Sequence, residues 1–154
     1  MLKTQADFGL LGTYNKDRGA IPFERFYLGG DGMANYSLDG RETIALRGYE
    51  NQSLSTNDGS TIYNKFSLEL RYPITLKPSA SIYALSFLEA GNGYNSFSDF
   101  NPFNSKRSSG AGIRIFMPAF GLLGIDFGYG FDAANAQDTS PHGWETHFII
   151  GQQF

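Results

Sequence analysis

Apolar and polar side chains alternate along residues 61–74, and this alternation constrains the fold more than any other feature of the sequence. Two sets of side chains are separated by it: Phe66, Leu68, Leu70 and Tyr72 on one face, and Lys65, Ser67, Glu69 and Arg71 on the other. Because successive side chains of a β-strand point to opposite faces, the pattern predicts a strand. Such a strand needs apolar surroundings on one side and polar surroundings on the other.

Similar patterns recur along the chain, so that the sequence predicts six strands. The other five are residues 4–14, 80–89, 107–117, 122–131 and the terminal stretch, residues 147–154. Short turns alternate with three long loops, which are residues 15–60, 91–105 and 132–143. Transmembrane β-barrels alternate short turns with long loops in this way, and each of their strands needs about 9–11 residues to cross the bilayer.

Composition excludes several other classes of protein. No run of about 20 apolar residues is present, which excludes a transmembrane helix. The chain has no Cys and two His, His142 and His147, which lack a third ligand at metal-like spacing, so we expect neither a metal nor another cofactor. The net charge of −3 argues against a nucleic-acid partner.

Two of the predicted strands have a face made almost entirely of glycine. Gly110 and Gly112 share their face with Arg114, and Gly124, Gly128 and Gly130 share theirs with Asp126. Such faces cannot build an apolar core, but they can line a polar lumen. We therefore expect an all-β fold, namely an antiparallel up-and-down transmembrane β-barrel.

The long loop of residues 15–60, here called the lid loop, has little clear periodicity. It nevertheless carries apolar side chains that need a packing partner: Phe23, Phe26, Tyr27, Leu28, Ile44, Leu46 and Tyr49. Disordered segments are poor in such residues. We therefore expect an ordered loop that folds onto or into the barrel.

Four motifs stand out: residues 22–30, the tip motif Leu46-Arg47-Gly48-Tyr49, residues 107–112 with 117–123, and the terminal stretch. In order and spacing they resemble the BamA family of outer-membrane β-barrel assembly proteins, in the bacterial surface antigen superfamily. The first resembles the start of the family's lid loop and the second the motif at the tip of that loop. The third is similar to a strand–Pro-turn–strand motif, and the fourth to the β-signal, with Phe154 in place of a final Trp.

The resemblance implies that residues 1–154 are the C-terminal portion of a sixteen-stranded barrel, containing its last six strands. POTRA domains precede the barrel in the family. These residues include no POTRA sequence and begin without a signal peptide, so we expect them to be part of a longer protein. The implied location is the bacterial outer membrane. The implied partners are the remaining barrel strands and POTRA domains, nascent outer-membrane proteins, accessory assembly lipoproteins and membrane lipid.

Arg47 is the strongest candidate for a functional residue. The resemblance implies that Arg47 reaches into the lumen and pairs with Glu69 and Glu89 on the barrel wall, where one guanidinium can bind carboxylates in a fixed planar geometry. Alternation alone places Glu69 on the polar face, and we expect Glu89 at the end of its strand. The glycine faces would let the loop backbone approach. The alternatives are a solvated Arg47 and a Glu69–Glu89 acid/base pair of the kind that glycoside hydrolases use.

In the terminal stretch, we expect Phe148, Ile150 and Phe154 to face lipid, and Gly151 is consistent with a weak or kinked closing strand. The resemblance implies a non-enzymatic insertase whose terminal edge templates incoming strands by β-augmentation. The alternatives are a TamA-like assembly factor or two-partner secretion pore, and a plain structural or pore-forming barrel. An outer-membrane enzyme has no catalytic constellation to support it.

Overall fold

The computed structural model describes residues 1–12, 24–32, 42–55, 58–77, 80–118, 121–134 and 139–151. Its strands are, in chain order, β1 (Leu2–Leu10), β2 (Phe26–Leu28), β3 (Glu42–Ile44), β4 (Ile62–Lys77), β5 (Ala80–Tyr94), β6 (Lys106–Met117), β7 (Gly121–Gly130) and β8 (Gly143–Ile150). A short 3-10 turn, Phe97–Asp99, follows β5. Over the described ranges, no helix has both the length and the apolar character that crossing a membrane requires.

Six strands form one antiparallel sheet in the order β1-β4-β5-β6-β7-β8. The predicted all-β, up-and-down antiparallel architecture with six strands is therefore confirmed. β1 and β8 are the two edges, so the described strands form an open part of a barrel wall. The short strands β2 and β3 pair with each other in parallel, within the lid loop.

The two faces of the sheet are opposite in character to those of a soluble protein. Large apolar side chains on the outward face are exposed: Phe66, Leu68, Leu70, Leu88, Phe127 and Phe148. Charged and polar side chains on the inward face are buried: Glu69, Glu89, Arg114, Asp126 and His147. Buried charges are rare unless they are paired. The wall is thus built to meet lipid outside and a polar interior inside.

The prediction that β5 ends at residue 89 is wrong, because the strand continues to Tyr94. Gly91 and Gly93 resemble turn residues, but they serve close packing. A Cβ on Gly91 would lie 3.3 Å from Leu46 Cδ1, and one on Gly93 would lie 3.3 Å from Leu28 Cδ1. The lid loop therefore rests on this part of β5, and Glu89 lies inside the strand rather than at its end.

Other strand boundaries also shift. β8 begins at Gly143, earlier than predicted, and Gly151 with a φ of +112° marks its end. β4 extends to Lys77 through a bulge between Pro73 and Thr75. β1 runs over Leu2–Leu10, and the later part of the predicted first strand, like Phe154, lies outside the described residues.

The described parts of the lid loop carry a small apolar core against the inner wall. Its buried members are Phe26, Leu28, Leu46, Tyr49 and Leu54 of the loop and Tyr63 of β4. Backbone bridges join Phe26 to Ser60 and Gly30 to Leu46. Burial of each such side chain stabilises the packed loop by about 1.5–3 kcal/mol relative to its exposure. This core positions the tip motif inside the barrel.

Candidate functional site

Strand register brings the two predicted acidic residues together on the inner wall. Glu69 of β4 lies opposite Phe87 of β5, and Ser67 lies opposite Glu89. All four positions point inward, so the two carboxylates are diagonal neighbours. Both glutamates are buried, with residue exposures of 6% for Glu69 and 4% for Glu89.

Arg47 reaches both carboxylates. Its Nη2 lies 2.7 Å from Glu89 Oε1, and its Nη1 lies 3.0 Å from Glu69 Oε2. The backbone N–H of Arg47 also donates to Glu89 Oε2 at 2.9 Å. In addition, Arg47 Cζ lies 3.8 Å from the centroid of the Phe87 ring, a cation–π contact. The structure therefore places the predicted partners against the guanidinium.

A third carboxylate, Asp126 of β7, completes the contacts of Arg47, and sequence reasoning did not assign it as a partner. Asp126 Oδ2 lies 3.2 Å from Arg47 Nη1, and Asp126 is fully buried. Arg114 of β6 donates from both terminal nitrogens to the same carboxylate. A Cβ on Gly112 would collide with the Asp126 side chain. We call the contacts of Arg47 with Glu69, Glu89 and Asp126 the Arg47 clamp.

The charges around the clamp nearly balance. Three carboxylates face four cations within salt-bridge distance: Glu69, Glu89 and Asp126 against Arg47, Lys65, Arg71 and Arg114. Burial alone would lower the pKa of Arg47, but the carboxylates of Glu89, Asp126 and Glu69 outweigh burial and raise it above the ordinary value. Arg47 therefore stays charged, and a buried charge of this kind persists only when it is fully paired.

The next residue, Gly48, lets the loop backbone touch the wall. It has a φ of +87°, a conformation that favours glycine. A Cβ on Gly128 would lie 2.6 Å from Gly48 N, and one on Gly130 would lie 2.6 Å from Gly48 O. At Gly128 and Gly130, the loop backbone approaches the wall as predicted. Gly110, Gly112 and Gly124 instead make room for the side chains of Phe87, Asp126 and Arg114, so the prediction is wrong for them.

Two histidines bind the loop tip by accepting hydrogen bonds from its backbone. Gly48 N donates to His147 Nε2 at 2.9 Å, and Glu50 N donates to His142 Nε2 at 3.2 Å. A backbone N–H can only donate, so each Nε2 acts as the acceptor in these two contacts. His142 Nε2 also lies 3.4 Å from Glu145 Oε1. Sequence reasoning considered these residues only as metal ligands. The inward position of His147 on the terminal strand was the available signal.

Leu46 and Tyr49, the first and last residues of the tip motif, anchor the loop on either side of the clamp. Leu46 is fully buried and exchanges backbone hydrogen bonds with Gly30. The Tyr49 hydroxyl donates to the backbone carbonyl of Arg107 at 2.7 Å. Burial raises the pKa of Tyr49 to about 12, so the phenol keeps the proton that it donates.

The terminal-strand residues lie apart from this site. Phe148 and Ile150 are 59% and 67% exposed on the outward face, and Gly151 ends β8. Phe154 lies outside the described residues, as do residues 22–23 and 119–120 of the other motifs. Trp144 is exposed at the start of β8 and packs edge-on against Tyr129.

The arrangement is suited to holding a loop. Both oxygens of Glu89 and one oxygen of Glu69 already contact Arg47, so neither carboxylate is free to act as an acid or base on a substrate. The part of the chain that the structure describes has no group of three His, Cys, Asp or Glu side chains that could hold a metal ion. A polar cavity of about 450 Å³ remains beside the clamp, with Lys3, Gln5 and Arg71 among its lining residues.

An antiparallel sheet with an apolar outside, a charged inside and a loop held within defines a class of protein: β-barrels of membranes whose lumen is occupied by their own loop. The chain belongs to the Omp85 superfamily, whose domain model matches residues 1–154. Members of this superfamily are bacterial outer-membrane β-barrels that act in protein assembly and translocation and are not enzymes. No curated protein matches the chain significantly.

Arg47→Ala in the full-length protein should loosen the lid loop, because it removes the guanidinium that joins the loop tip to three buried carboxylates. Removing one partner of a buried pair costs about 3–5 kcal/mol. Chymotrypsin cleavage of the loop should therefore accelerate, and this protease is chosen because the substitution removes a trypsin site. Arg47→Lys keeps the charge without the planar fork and should give an intermediate rate.

The matched control is Arg107→Ala, which removes an exposed pair with Asp132 and should leave the cleavage rate near that of the unsubstituted protein. An Arg47→Ala protein with unchanged cleavage and unchanged assembly activity would show that the clamp has no role.

His147→Ala should abolish the hydrogen bond that Gly48 N donates, and the loss is large because an unsatisfied buried N–H costs about 1–3 kcal/mol. His147→Gln should preserve much of it, because a side-chain carbonyl can replace Nε2 as the acceptor. Amide hydrogen exchange at Gly48 measures the difference. Equal exchange rates in the Ala and Gln variants would contradict the role of His147 as an acceptor.

Gly128→Ala should destabilise the protein by about 1–3 kcal/mol, because the added methyl meets backbone atoms that cannot rotate away. Gly12→Ala is the control, since a Cβ there has no neighbour within 4 Å. Urea unfolding midpoints in lipid vesicles report both changes. The interpretation fails if the two substitutions have equal effects.

Proposed function

We propose that this chain is the C-terminal part of a BamA-like insertase, which folds β-barrel proteins and inserts them into the bacterial outer membrane. The observation that carries the proposal is the edge of β8, which has no strand paired beyond it among the described residues. A free strand edge is a template on which another chain can add a strand by β-augmentation.

The hydrogen-bonding direction of β8 can be assigned residue by residue. Gly151 N donates to Leu122 O of the neighbouring β7. Since bonding direction alternates along an antiparallel strand, Ile149, His147 and Glu145 also bond toward β7. The backbone N–H and C=O groups of Trp144, Thr146, Phe148 and Ile150 then point to the free edge. An incoming strand would bond to these groups.

The Arg47 clamp supports assembly over a plain pore. A pore needs an open lumen, whereas here the loop tip is bonded to β4, β5, β7 and β8 through Arg47 and Gly48. With the lumen occupied, a client would have to enter from the side of the barrel. A lateral route uses the edge of β8, so the two features favour the same function.

The proposal implies partners outside this chain. Further barrel strands would cover the edge of β1 and form a seam with β8, because open sheet edges do not occur in the hydrocarbon region of a bilayer. The other partners would be POTRA domains and accessory lipoproteins, with nascent outer-membrane proteins as the clients. A TamA-like factor or a two-partner secretion pore remains the alternative within the superfamily.

Thr146→Pro tests the edge directly, because proline removes one N–H from the free edge and leaves the β7–β8 hydrogen bonds in place. Thr146→Ala is the matched control, since it loses the side chain and keeps the N–H. The full-length protein in lipid vesicles is given an unfolded client barrel, and the appearance of the folded, heat-modifiable client is followed. One lost hydrogen bond of about 1–1.4 kcal/mol should slow insertion five- to tenfold.

Equal insertion rates for the two variants would show that the edge of β8 does not template the client. A two-partner secretion pore would instead translocate a passenger across the vesicle membrane and leave the rate of barrel insertion unchanged in both variants.

A further inference from the structure

The loop between β5 and β6, residues 95–105, folds down over the outside of the barrel. Asn64, Asn92 and Tyr94 have the same outward parity as the exposed Phe66 and Leu88, yet Asn64 is fully buried and Tyr94 is only 7% exposed. An outward position at the end of a barrel wall is buried only when something covers it.

Hydrogen bonds identify the cover as the loop itself. Asn64 Nδ2 donates to Ser105 Oγ at 3.0 Å, and Asn92 Nδ2 donates to the backbone carbonyl of Asn104 at 2.8 Å. The Tyr94 hydroxyl donates to the same carbonyl at 3.1 Å. The loop is therefore fastened to the lipid-facing side of β4 and β5 and does not extend straight into water.

Aromatic packing stiffens the loop in this position. The Phe100 ring packs edge-on against Tyr94, with centroids 5.3 Å apart, and Phe97 stacks on Phe100 at 6.3 Å. Ser96 caps the 3-10 turn by accepting from Ser98 N. The loop thus presents its remaining side chains in a defined direction.

Two phenylalanines of the loop are largely exposed. Phe97 is 74% exposed and Phe103 is 95% exposed. They belong to a loop fastened directly above Phe66, Leu68 and Leu88, which form the apolar outer wall. Residues 95–105 carry a single charge, that of Asp99, so the loop could enter a membrane interface without desolvating many ions.

We infer that residues 95–105 form an interfacial anchor, in which Phe97 and Phe103 insert into the lipid leaflet at the loop side of the barrel. The partner is a lipid surface, because the exposed rings continue the lipid-facing wall. Burial of each ring in the leaflet would remove from water an apolar area that the protein leaves open. The inference rests on the membrane location of the superfamily and not on insertase activity.

The test measures the depth of spin labels on the full-length protein in a cysteine-free background, in phospholipid vesicles without other proteins. Labels are placed at Phe97→Cys and Phe103→Cys. Phe127→Cys on the outer wall and Ser140→Cys at an exposed position shortly before β8 give the two reference environments. Each label is compared for its accessibility to oxygen, which concentrates in lipid, and to a water-soluble nickel complex.

Labels at residues 97 and 103 should be more accessible to oxygen than to the nickel complex, as the label at residue 127 is. The label at residue 140 should show the opposite preference. Nickel accessibility equal to that of residue 140 would overturn the anchor and favour a protein partner for the exposed rings. Labels that neither reagent reaches would also overturn it, because the loop would then be buried in protein.

A second measurement keeps an aromatic ring at the site. The variant carries Phe103→Trp together with Trp144→Phe, and any other tryptophan of the full-length protein is replaced. The fluorescence of its single tryptophan should be quenched by lipids brominated near the headgroup. Absence of quenching would contradict the inference independently of the spin label.

Discussion

The ion pairs of Arg47 with three carboxylates of the barrel wall are the interaction on which the arrangement of this protein depends. They join the tip of the lid loop to β4, β5 and β7. Each of these carboxylates would be costly to bury alone. Each of them also has one cation of the wall beside it, so Arg47 adds a shared second partner and ties the three pairs together. The loop reaches them because Gly128 and Gly130 of β7 let its backbone come close.

Alternation along β4 was enough to predict that Glu69 points inward, because the period of a strand decides the face. Asp126 and His147 also lie on inward positions, but their meeting with the loop depends on how β7 and β8 are paired with their neighbours. That register is a tertiary property. The role of Glu89 came from the resemblance, and the end of β5 was misplaced because Gly91 and Gly93 look like turn residues until the loop that packs on them is known.

The described residues combine a firmly bonded interior with two sheet edges, at β1 and β8. Inside, Arg47, Gly48 and Tyr49 are each held by a contact to the wall. At β8, every second backbone group points away from the sheet. The proposed insertase, which would admit foreign strands without losing its own shape, would need such a division, because a uniformly weak barrel would come apart when its edge opened.

The clamp also has a consequence for the surroundings that this protein can tolerate. Dissolved salt weakens attractions between exposed charges within a Debye length of about 8–10 Å, but it reaches buried pairs much less. The side chains of Arg47, Glu69 and Glu89 are 9%, 8% and 2% exposed. The attachment of the loop to the wall should therefore change little when the ionic strength around the bacterium rises or falls.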